Sequence, residues 1–115
     1  MNTGLAYHPA FLNHRTGKNH PERPERIASI VAKLQAAHLW DALHHLDVQP
    51  APLEWILKMH SAQYVDRLRA ACAGGQSHID VPDSAICPES FDIALLAAGA
   101  GLAAADAVMT GKVRN

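Results

Sequence analysis

The chain has 115 residues, 49% of them hydrophobic, and a formal net charge of −1, which fits one modest folded domain and excludes a disordered chain. No long basic tract is present, so the composition predicts no nucleic-acid partner. Two cysteines without a metal or disulfide spacing, and an N-terminus without a basic or an apolar region, favour a cytoplasmic protein over a secreted one.

The N-terminal half is predicted to begin with a short strand at residues 4–7 and a loop at residues 8–21. A helix should start near residue 22 or 24 and end near residue 39, because a proline suits its first turn and the acidic residues there complement the macrodipole. A short turn at residues 40–43 and a brief strand at residues 46–48 follow. The apolar positions of the helix recur at helical spacing and form one stripe: Ile27, Ile30, Val31, Leu34 and Ala37.

Two further helices are predicted in the middle of the chain. The first covers about residues 53–59, and the second begins after Ser61, which is a plausible N-cap, and ends at Gly74–Gly75. A loop at residues 76–88 comes next. The buried face of the second helix should consist of Tyr64, Val65, Leu68 and Cys72.

The longest predicted helix covers about residues 90–110, is rich in alanine, and ends at Gly111. A helical glycine costs roughly 1 kcal/mol relative to alanine, so Gly99 and Gly101 need a packing reason, such as a sheet or a second helix at close range. The uncharged run at residues 93–105 is shorter than the roughly 20 residues of a membrane span. We therefore expect a buried helix and no membrane partner.

The densest cluster of polar chemistry lies in residues 14–26, which hold two histidines, two glutamates, four basic residues and two prolines. Unpaired charges are costly to bury, and the prolines stiffen the backbone. By composition alone, this segment is either a solvated helix entry or a functional loop.

The order of the residues favours the functional loop, because it resembles that of the zinc-dependent deacetylase superfamily. This superfamily contains histone deacetylases, acetylpolyamine amidohydrolases and acetoin-utilisation proteins. The likeness runs from about Leu5 to Gly111. It rests on Tyr7-x6-His14-x-Thr16-Gly17-x2-His20-Pro21-Glu22-Arg23-Pro24-x-Arg26-Ile27, His60-Ser61-x2-Tyr64-Val65, Asp80-x2-Asp83-Ser84, Cys87-Pro88-x-Ser90-Phe91 and Ala94-x2-Ala97-Ala98-Gly99-Ala100.

The resemblance implies an α/β arginase–deacetylase fold for the intact parent. Residues 1–115 would be a single, incomplete N-terminal segment, mostly helical with one or two short strands. The family's Pro-Gly-His-His dyad, Asp-x-His metal motif, second metal-binding Asp and catalytic Tyr come later than this segment. We therefore assign no catalytic and no metal-binding residue here, expect no cofactor in this chain, and place Zn²⁺ in the intact domain.

The same resemblance suggests site residues. It places His20, Pro21 and Glu22 in one wall of the substrate channel, where hydrogen bonds should brace the loop, and Asp83 in the second wall, as an acceptor for the substrate. An Asx turn beside the neighbouring proline is the structural alternative for Asp83. Arg26 matches an arginine that faces an internal cavity beneath the active site, although its spacing equally fits an ion pair with Glu22.

Three histidine patterns are weaker candidates. His44-His45 lacks the preceding Pro-Gly and should be two partly exposed side chains. His78-x-Asp80 reverses the family's metal motif. His14 and His20 lack the three or four ligands of a zinc site.

The predicted function is therefore that of an N-terminal scaffold and channel part of a deacetylase acting on acetyl-lysine or acetylpolyamine, inactive alone. The alternative is a small helical module that binds its own copy or a partner. Uncovered helix faces predict a dimer or higher oligomer, with an interface that includes Ala97, Leu102 and Val108.

Overall fold

The computed structural model describes residues 2–115, in which helices dominate and the strands are short. This confirms the predicted fold class of the segment. The two longest elements are the two helices that were expected to be longest. In chain order the elements are β1 (Gly4–Leu5), a 3₁₀ turn (Pro9–Asn13), α1 (Pro24–Ala36), a 3₁₀ turn (Trp40–Ala42), β2 (His44–His45), α2 (Leu53–Ile56), α3 (Ala62–Ala73) and α4 (Ser90–Met109).

The strands lie in a small parallel layer around β1. Gly4 pairs with His44 on one edge. On the other edge, the Gly4 N–H donates to the Asn115 carbonyl at 2.7 Å and the Arg114 N–H donates to the Asn2 carbonyl at 2.7 Å. The chain's last residues thus extend the layer beside β1.

The strand predicted at residues 46–48 is wrong in position, because the paired strand begins two residues earlier and covers His44–His45. Leu46 still donates its N–H to the Leu5 carbonyl at 2.9 Å, after which the chain leaves the layer. Leu46 and Val48 are buried. Their alternation therefore reflects an extended, core-facing segment and not a paired strand.

Helix α1 starts at Pro24 as predicted but ends at Ala36, before residue 39. The helix stops because His38 adopts a left-handed conformation with φ +55°. Within the described chain, none of the α1 residues is buried. Within its apolar stripe Ile27, Val31 and Leu34 are half-buried, whereas Ile30 and Ala37 are exposed.

Helix α3 follows the sequence closely. The Ser61 hydroxyl accepts the Tyr64 N–H at 3.2 Å, which is the predicted N-cap. Val65 and Cys72 are buried and Leu68 packs against them, as predicted. Tyr64, the fourth residue of the predicted face, is only half-buried and lies outside this cluster. Helix α2 is shorter than expected and ends at Ile56.

Helix α4 approaches the extended segment that follows β2 at backbone distance. A Cβ added at Gly99 would lie 1.7 Å from the Gln49 carbonyl oxygen, and the Ala51 N–H donates to the Leu95 carbonyl at 2.9 Å. This confirms the predicted tight packing at Gly99. At Gly101, by contrast, the space is open.

The expectation that α4 is a buried helix is wrong for residues 2–115, because only 22% of its most apolar window is buried. Its length and composition also meet the minimum for a membrane span, since Asp92 and Asp106 lie towards the helix ends. Core helices of soluble proteins meet the same minimum. One side of α4 packs on two small clusters, formed by Leu46, Ala107 and Val113 and by Val65, Cys72 and Phe91.

The molecule is a slab of 43 × 33 × 17 Å with a radius of gyration of 15.8 Å. A compact chain of this length has a radius of gyration of about 13 Å. The accessible surface is 7711 Å² for a mass of 12.4 kDa, whereas a compact monomer of that mass exposes roughly 6,100 Å². The chain therefore exposes about 1,600 Å² more than a closed globule does.

Candidate functional site

The two loops that carry the sequence motifs lie against each other at the N-terminal end of α4. The first loop is residues 14–23, and the second loop is residues 76–89, which leads into Ser90, the first residue of α4. The contacts that join them link residues 76 and 63 positions apart in the chain. Neither loop contains a helix. Side-chain hydrogen bonds join them at two places.

The first connection links His14 to Ser90. His14 Nδ1 lies 2.8 Å from the Ser90 hydroxyl oxygen, which also accepts the Cys87 N–H at 2.8 Å. Ser90 is buried, so its hydroxyl group needs these partners. A hydroxyl has one proton to donate, and both the Cys87 sulfur at 3.3 Å and His14 Nδ1 lie within its reach, so the direction of the His14–Ser90 hydrogen bond depends on the His14 tautomer. His14 Nε2 faces the Glu22 carboxylate at 3.9 Å.

The Cys87 sulfur strengthens the same connection. It lies 3.2 Å from the Asn13 carbonyl oxygen, to which its thiol donates, and it accepts the Arg15 N–H at 3.3 Å. The backbone on both sides of His14 is therefore fixed to the second loop. The Cys87 side chain therefore links the two loops by hydrogen bonds.

The second connection runs through His20. The Glu22 N–H donates to His20 Nδ1 at 3.1 Å, so the ring is protonated at Nε2 when neutral. Nε2 lies 3.2 Å from the Asp83 carbonyl oxygen and 3.8 Å from the Asp83 carboxylate. The Thr16 hydroxyl donates to the Glu22 carbonyl. These bonds brace the first loop as the sequence predicted, while the assignment of His20, Pro21 and Glu22 to a channel wall stays a prediction.

The two aspartates of the second loop have different contacts. Asp80, at φ +60°, pairs with Arg67 on α3, and this hydrogen bond raises the pKa of the Arg67 guanidinium. The Asp83 side chain is 94% exposed, and among residues 2–115 its carboxylate accepts no hydrogen bond. Asp83 is therefore free to meet a ligand, whereas Asp80 holds the loop to α3.

Arg26 is exposed in the first turn of α1. Within the part of the chain that is described, no ion pair joins it to Glu22, whose carboxylate faces His14 instead. The expected position of Arg26 at an internal cavity stays a prediction.

The other histidine patterns do not form sites in the described residues. His44 and His45 form β2 and are exposed, as expected, although they lie in a strand and not in a helix. His45 Nε2 lies 2.9 Å from the Trp40 carbonyl oxygen. His78 Nδ1 contacts the adjacent Ser77 hydroxyl at 3.3 Å.

A cleft of about 370 Å³ opens beside the first connection. Its polar end holds His14, Glu22 and Ser90, and the rest of its lining is apolar. The loops therefore form one edge of a concave surface that continues along α4.

The donor set does not fit a metal ion. Across residues 2–115, no three His, Cys, Asp or Glu side chains are close enough to share one. His14 lies near Glu22, and His20 lies near Asp83, so the potential ligands are two separate pairs. A zinc site needs at least three protein ligands, so neither pair can hold a zinc ion by itself.

Sequence reasoning missed the roles of Ser90 and Cys87. Both lie in the motif Cys87-Pro88-x-Ser90-Phe91, so their positions were noticed but no partner was assigned. The partner, His14, is 76 residues away. A local pattern carries no information about such a contact.

Comparison with known proteins shows the family of the chain. A family profile described as "Histone deacetylase domain" matches residues 20–115. The chain is 35% identical over 117 residues to a probable deacetylase of Archaeoglobus fulgidus, with all of this chain and 32% of the relative covered. It is 32% identical over 124 residues to the polyamine deacetylase HDAC10 of Homo sapiens, with all of this chain and 18% of the relative covered.

A third relative is a histone deacetylase-like amidohydrolase of Pseudomonas aeruginosa, 34% identical over 96 residues, with 84% of this chain and 25% of the relative covered. The chain thus spans about a third or less of the length of these curated relatives.

Proposed function

The chain belongs to the histone deacetylase family, and we propose that it forms two walls of the substrate channel of a deacetylase. In this proposal residues 1–115 are the N-terminal, incomplete segment of a deacetylase domain in the cytoplasm. The segment supplies scaffold and channel residues and does not catalyse hydrolysis alone.

The connection between the two loops is the observation that carries the proposal. A channel wall must keep its shape while substrates enter and leave, and preorganised groups orient a substrate at low cost. His14 with Ser90 and His20 with Asp83 join the loops at two points. The loops therefore support one continuous wall instead of two independent flaps.

Asp83 is the residue we assign to substrate binding. Its backbone carbonyl is held by His20 while its carboxylate is solvent-facing. A carboxylate in that position can accept hydrogen bonds from the N–H groups of an acetylated amine. His20 acts as a positioning residue, because it contacts Asp83 and not the ligand.

The proposed substrate class is an N-acetyl amide of a primary amine, either acetyl-lysine or acetylpolyamine. Relatives named as a polyamine deacetylase and as a histone deacetylase-like amidohydrolase support these two classes. The family is generally zinc-dependent, and the residues described above do not fit zinc. We therefore assign the metal, and the polarisation of the amide carbonyl that it supplies, to the remainder of the intact domain.

A chimera tests this function. This chain would replace the matching segment of the Archaeoglobus fulgidus probable deacetylase, and hydrolysis of acetyl-lysine peptides and acetylpolyamines would be measured. We expect activity toward at least one substrate, and a loss of about tenfold to a hundredfold in kcat/KM for Asp83→Asn, since one charge-assisted hydrogen bond is removed.

Asp66→Asn is the matched control, because Asp66 is an exposed α3 carboxylate that contacts Arg69. We expect this variant to keep the activity of the chimera, and the isolated chain to show none. A folded, active chimera that is indifferent to Asp83→Asn would contradict the wall assignment.

The alternative function is a small helical module that binds its own copy or a partner. The uncovered stripe of α1 favours it. Sequencing the gene beyond the codon for Asn115 separates the two functions. A Pro-Gly-His-His segment there supports the deacetylase, whereas a stop codon supports the module.

A further inference from the structure

The His20 ring has an oxygen within reach of each of its nitrogens. Its side chain is 17% exposed. Nδ1 lies 3.1 Å from both the backbone nitrogen and the carbonyl oxygen of Glu22. Nε2 lies 3.2 Å from the Asp83 carbonyl oxygen and 3.8 Å from the Asp83 carboxylate. The ring is therefore held between the two loops in a position where both nitrogens can donate.

These partners satisfy both charge states of His20. In the neutral ring, Nδ1 accepts the Glu22 N–H and Nε2–H donates to the Asp83 carbonyl. In the protonated ring, Nδ1–H donates to the Glu22 carbonyl, which keeps a second lone pair for the Thr16 hydroxyl. Glu22 is exposed, so water accepts its released N–H. A proton can therefore be added to the ring without leaving a buried polar group unpaired.

The Asp83 carboxylate is the charged group that meets this proton. Among residues 2–115, His20 has no other ion-pair partner. The remaining charged groups of the junction have other contacts, and they are Glu22 beside His14, Asp80 beside Arg67, and Arg15, Lys18 and Arg23 around a separate depression. A positive charge on His20 therefore acts mainly on Asp83.

Such a charge changes the position that the Asp83 carboxylate prefers. An imidazolium attracts a carboxylate, and a charge-assisted N–H···O hydrogen bond is about 2.7–2.9 Å long. The Asp83 side chain is 94% exposed and no hydrogen bond within residues 2–115 holds its carboxylate, so rotation of this side chain is enough to close the present gap of 3.8 Å. Nε2–H then contacts the carbonyl and the carboxylate of the same residue.

We propose that protonation of His20 draws the Asp83 carboxylate onto the ring and withdraws it from the substrate, so that the channel wall binds acetylated amines less tightly in acid. Histidine is the side chain that changes its charge between pH 5 and 8, and this sets the range of the switch. The effect on substrate rests on the proposed function, in which Asp83 meets the substrate. The movement of the carboxylate rests on contacts within residues 2–115 alone.

Nuclear magnetic resonance of the natural chain measures the movement. Between pH 8 and pH 5, the shift of the Asp83 carboxyl carbon should follow the His20 ring shifts through one common inflection. The three-bond couplings of the Asp83 β-protons should change from averaged values to those of one rotamer, because the carboxylate becomes fixed. Asp66, which pairs with Arg69 on α3, is the control carboxylate and should show neither change.

Two glutamine variants separate His20 from the other histidines. A glutamine amide can donate to the Asp83 carbonyl but gains no proton in this range, so His20→Gln should abolish the Asp83 inflection. His78→Gln removes an exposed histidine of the loop that carries Asp83 and should retain the inflection. The couplings in the natural chain decide the question even where His20→Gln fails to fold.

Three results on the isolated chain overturn the proposal. They are a His20 ring that does not titrate between pH 5 and 8, Asp83 shifts and couplings that stay constant while His20 titrates, and an Asp83 inflection that persists in folded His20→Gln.

The chimera measures the consequence for substrate. From pH 8 to pH 5.5, KM should rise about threefold to tenfold more in the chimera with His20 than in its His20→Gln variant, since one hydrogen bond to the substrate weakens. Any acid loss of kcat that arises in the remainder of the domain should be common to both. Equal pH dependence of KM in the two, with Asp83→Asn still impairing the chimera, overturns the switch and leaves the wall assignment intact. Indifference to Asp83→Asn overturns the wall assignment instead, and with it the effect on substrate, while the movement is still measured in the isolated chain.

Discussion

The roles of single residues at the loop junction depend on contacts across the fold. Asp83 was singled out by its place in a motif, and its exposure agrees with a residue that meets ligand. Asp80, three positions earlier, forms an ion pair with Arg67. From the sequence, either aspartate could have met a ligand. The contact of Arg67 with Asp80 distinguishes them, and this contact depends on the position of α3 in the fold.

Buried polar partners were the least predictable residues. Ser90 looked like a helix start, yet its hydroxyl joins His14 and Cys87 across 76 and 3 positions of sequence. Nothing in a local window indicates the first of these contacts. Motif order identified the loops, but only the three-dimensional arrangement shows what holds them together.

Cys72 gives a residue-level prediction about pH. Burial raises the pKa of the Cys72 thiol above its ordinary value of 9.0, and a hydrogen bond from the Phe91 backbone opposes that rise. The unfolded chain therefore loses this proton first as the pH increases. The stability due to the buried neutral thiol is complete below pH 9 and is lost as the pH rises through the folded-state pKa.

We expect the free energy of unfolding to fall more steeply above pH 9 in the natural chain than in Cys72→Ala. Urea titrations at a series of pH values measure both slopes. Cys87→Ala serves as the comparison, since that thiol is only half-buried. Parallel curves for the natural chain and Cys72→Ala would contradict the assignment.

Elements were predictable where local signals decide them. Helix α1 begins at its predicted proline, α3 has its predicted Ser61 cap, and Gly111 follows the end of α4 with φ +73° as its position predicted. The predictions were wrong where contacts between distant segments determine the secondary structure or the burial. The strand expected at residues 46–48 is an extended segment whose backbone meets α4, and the burial of α4 depends on neighbours that no helical pattern specifies.

Gly99 and Gly101 form a matched pair for a prediction about α4. A methyl group at Gly99 would collide with the backbone of Gln49 and Ala51, whereas the same group at Gly101 meets open space. We expect Gly99→Ala to destabilise the chain by about 3 kcal/mol or more, because backbone must move. Gly101→Ala should stabilise it by about 0.5–1 kcal/mol through helix propensity.

Urea unfolding followed by far-ultraviolet circular dichroism measures both changes in one buffer. The comparison is internal, since both variants add one methyl group to the same helix. Equal effects would mean that α4 does not approach residues 49–51 at backbone distance.

At the scale of the whole molecule, the family was predictable and the shape was not. The match over residues 20–115 agrees with the motif order read from the sequence. Strand β1 has neighbours from distant parts of the chain, His44 on one edge and Asn115 on the other. Such parallel pairing is specified by distant residues, so periodicity within a segment cannot reveal it.

Dependence of stability on concentration distinguishes the alternative function, a module that binds its own copy, from the deacetylase segment. Self-association of such a module involves the folded state and not the unfolded one, so dilution should lower Tm. For a domain of this size we expect about 3–5 °C for each tenfold dilution. Helix content near the midpoint should fall with dilution too, since α1 is the element that loses its cover.

Scanning calorimetry and circular dichroism over a hundredfold range of concentration measure both effects. Ala32→Glu, on the exposed face of α1, should keep the concentration dependence of such a module, and Ile30→Glu, in the apolar stripe of α1, should abolish it at a low, constant Tm. A Tm independent of concentration in the natural chain would mean that α1 is stable with its apolar stripe in water. In that case the excess surface of the slab would be an intrinsic property of the monomer.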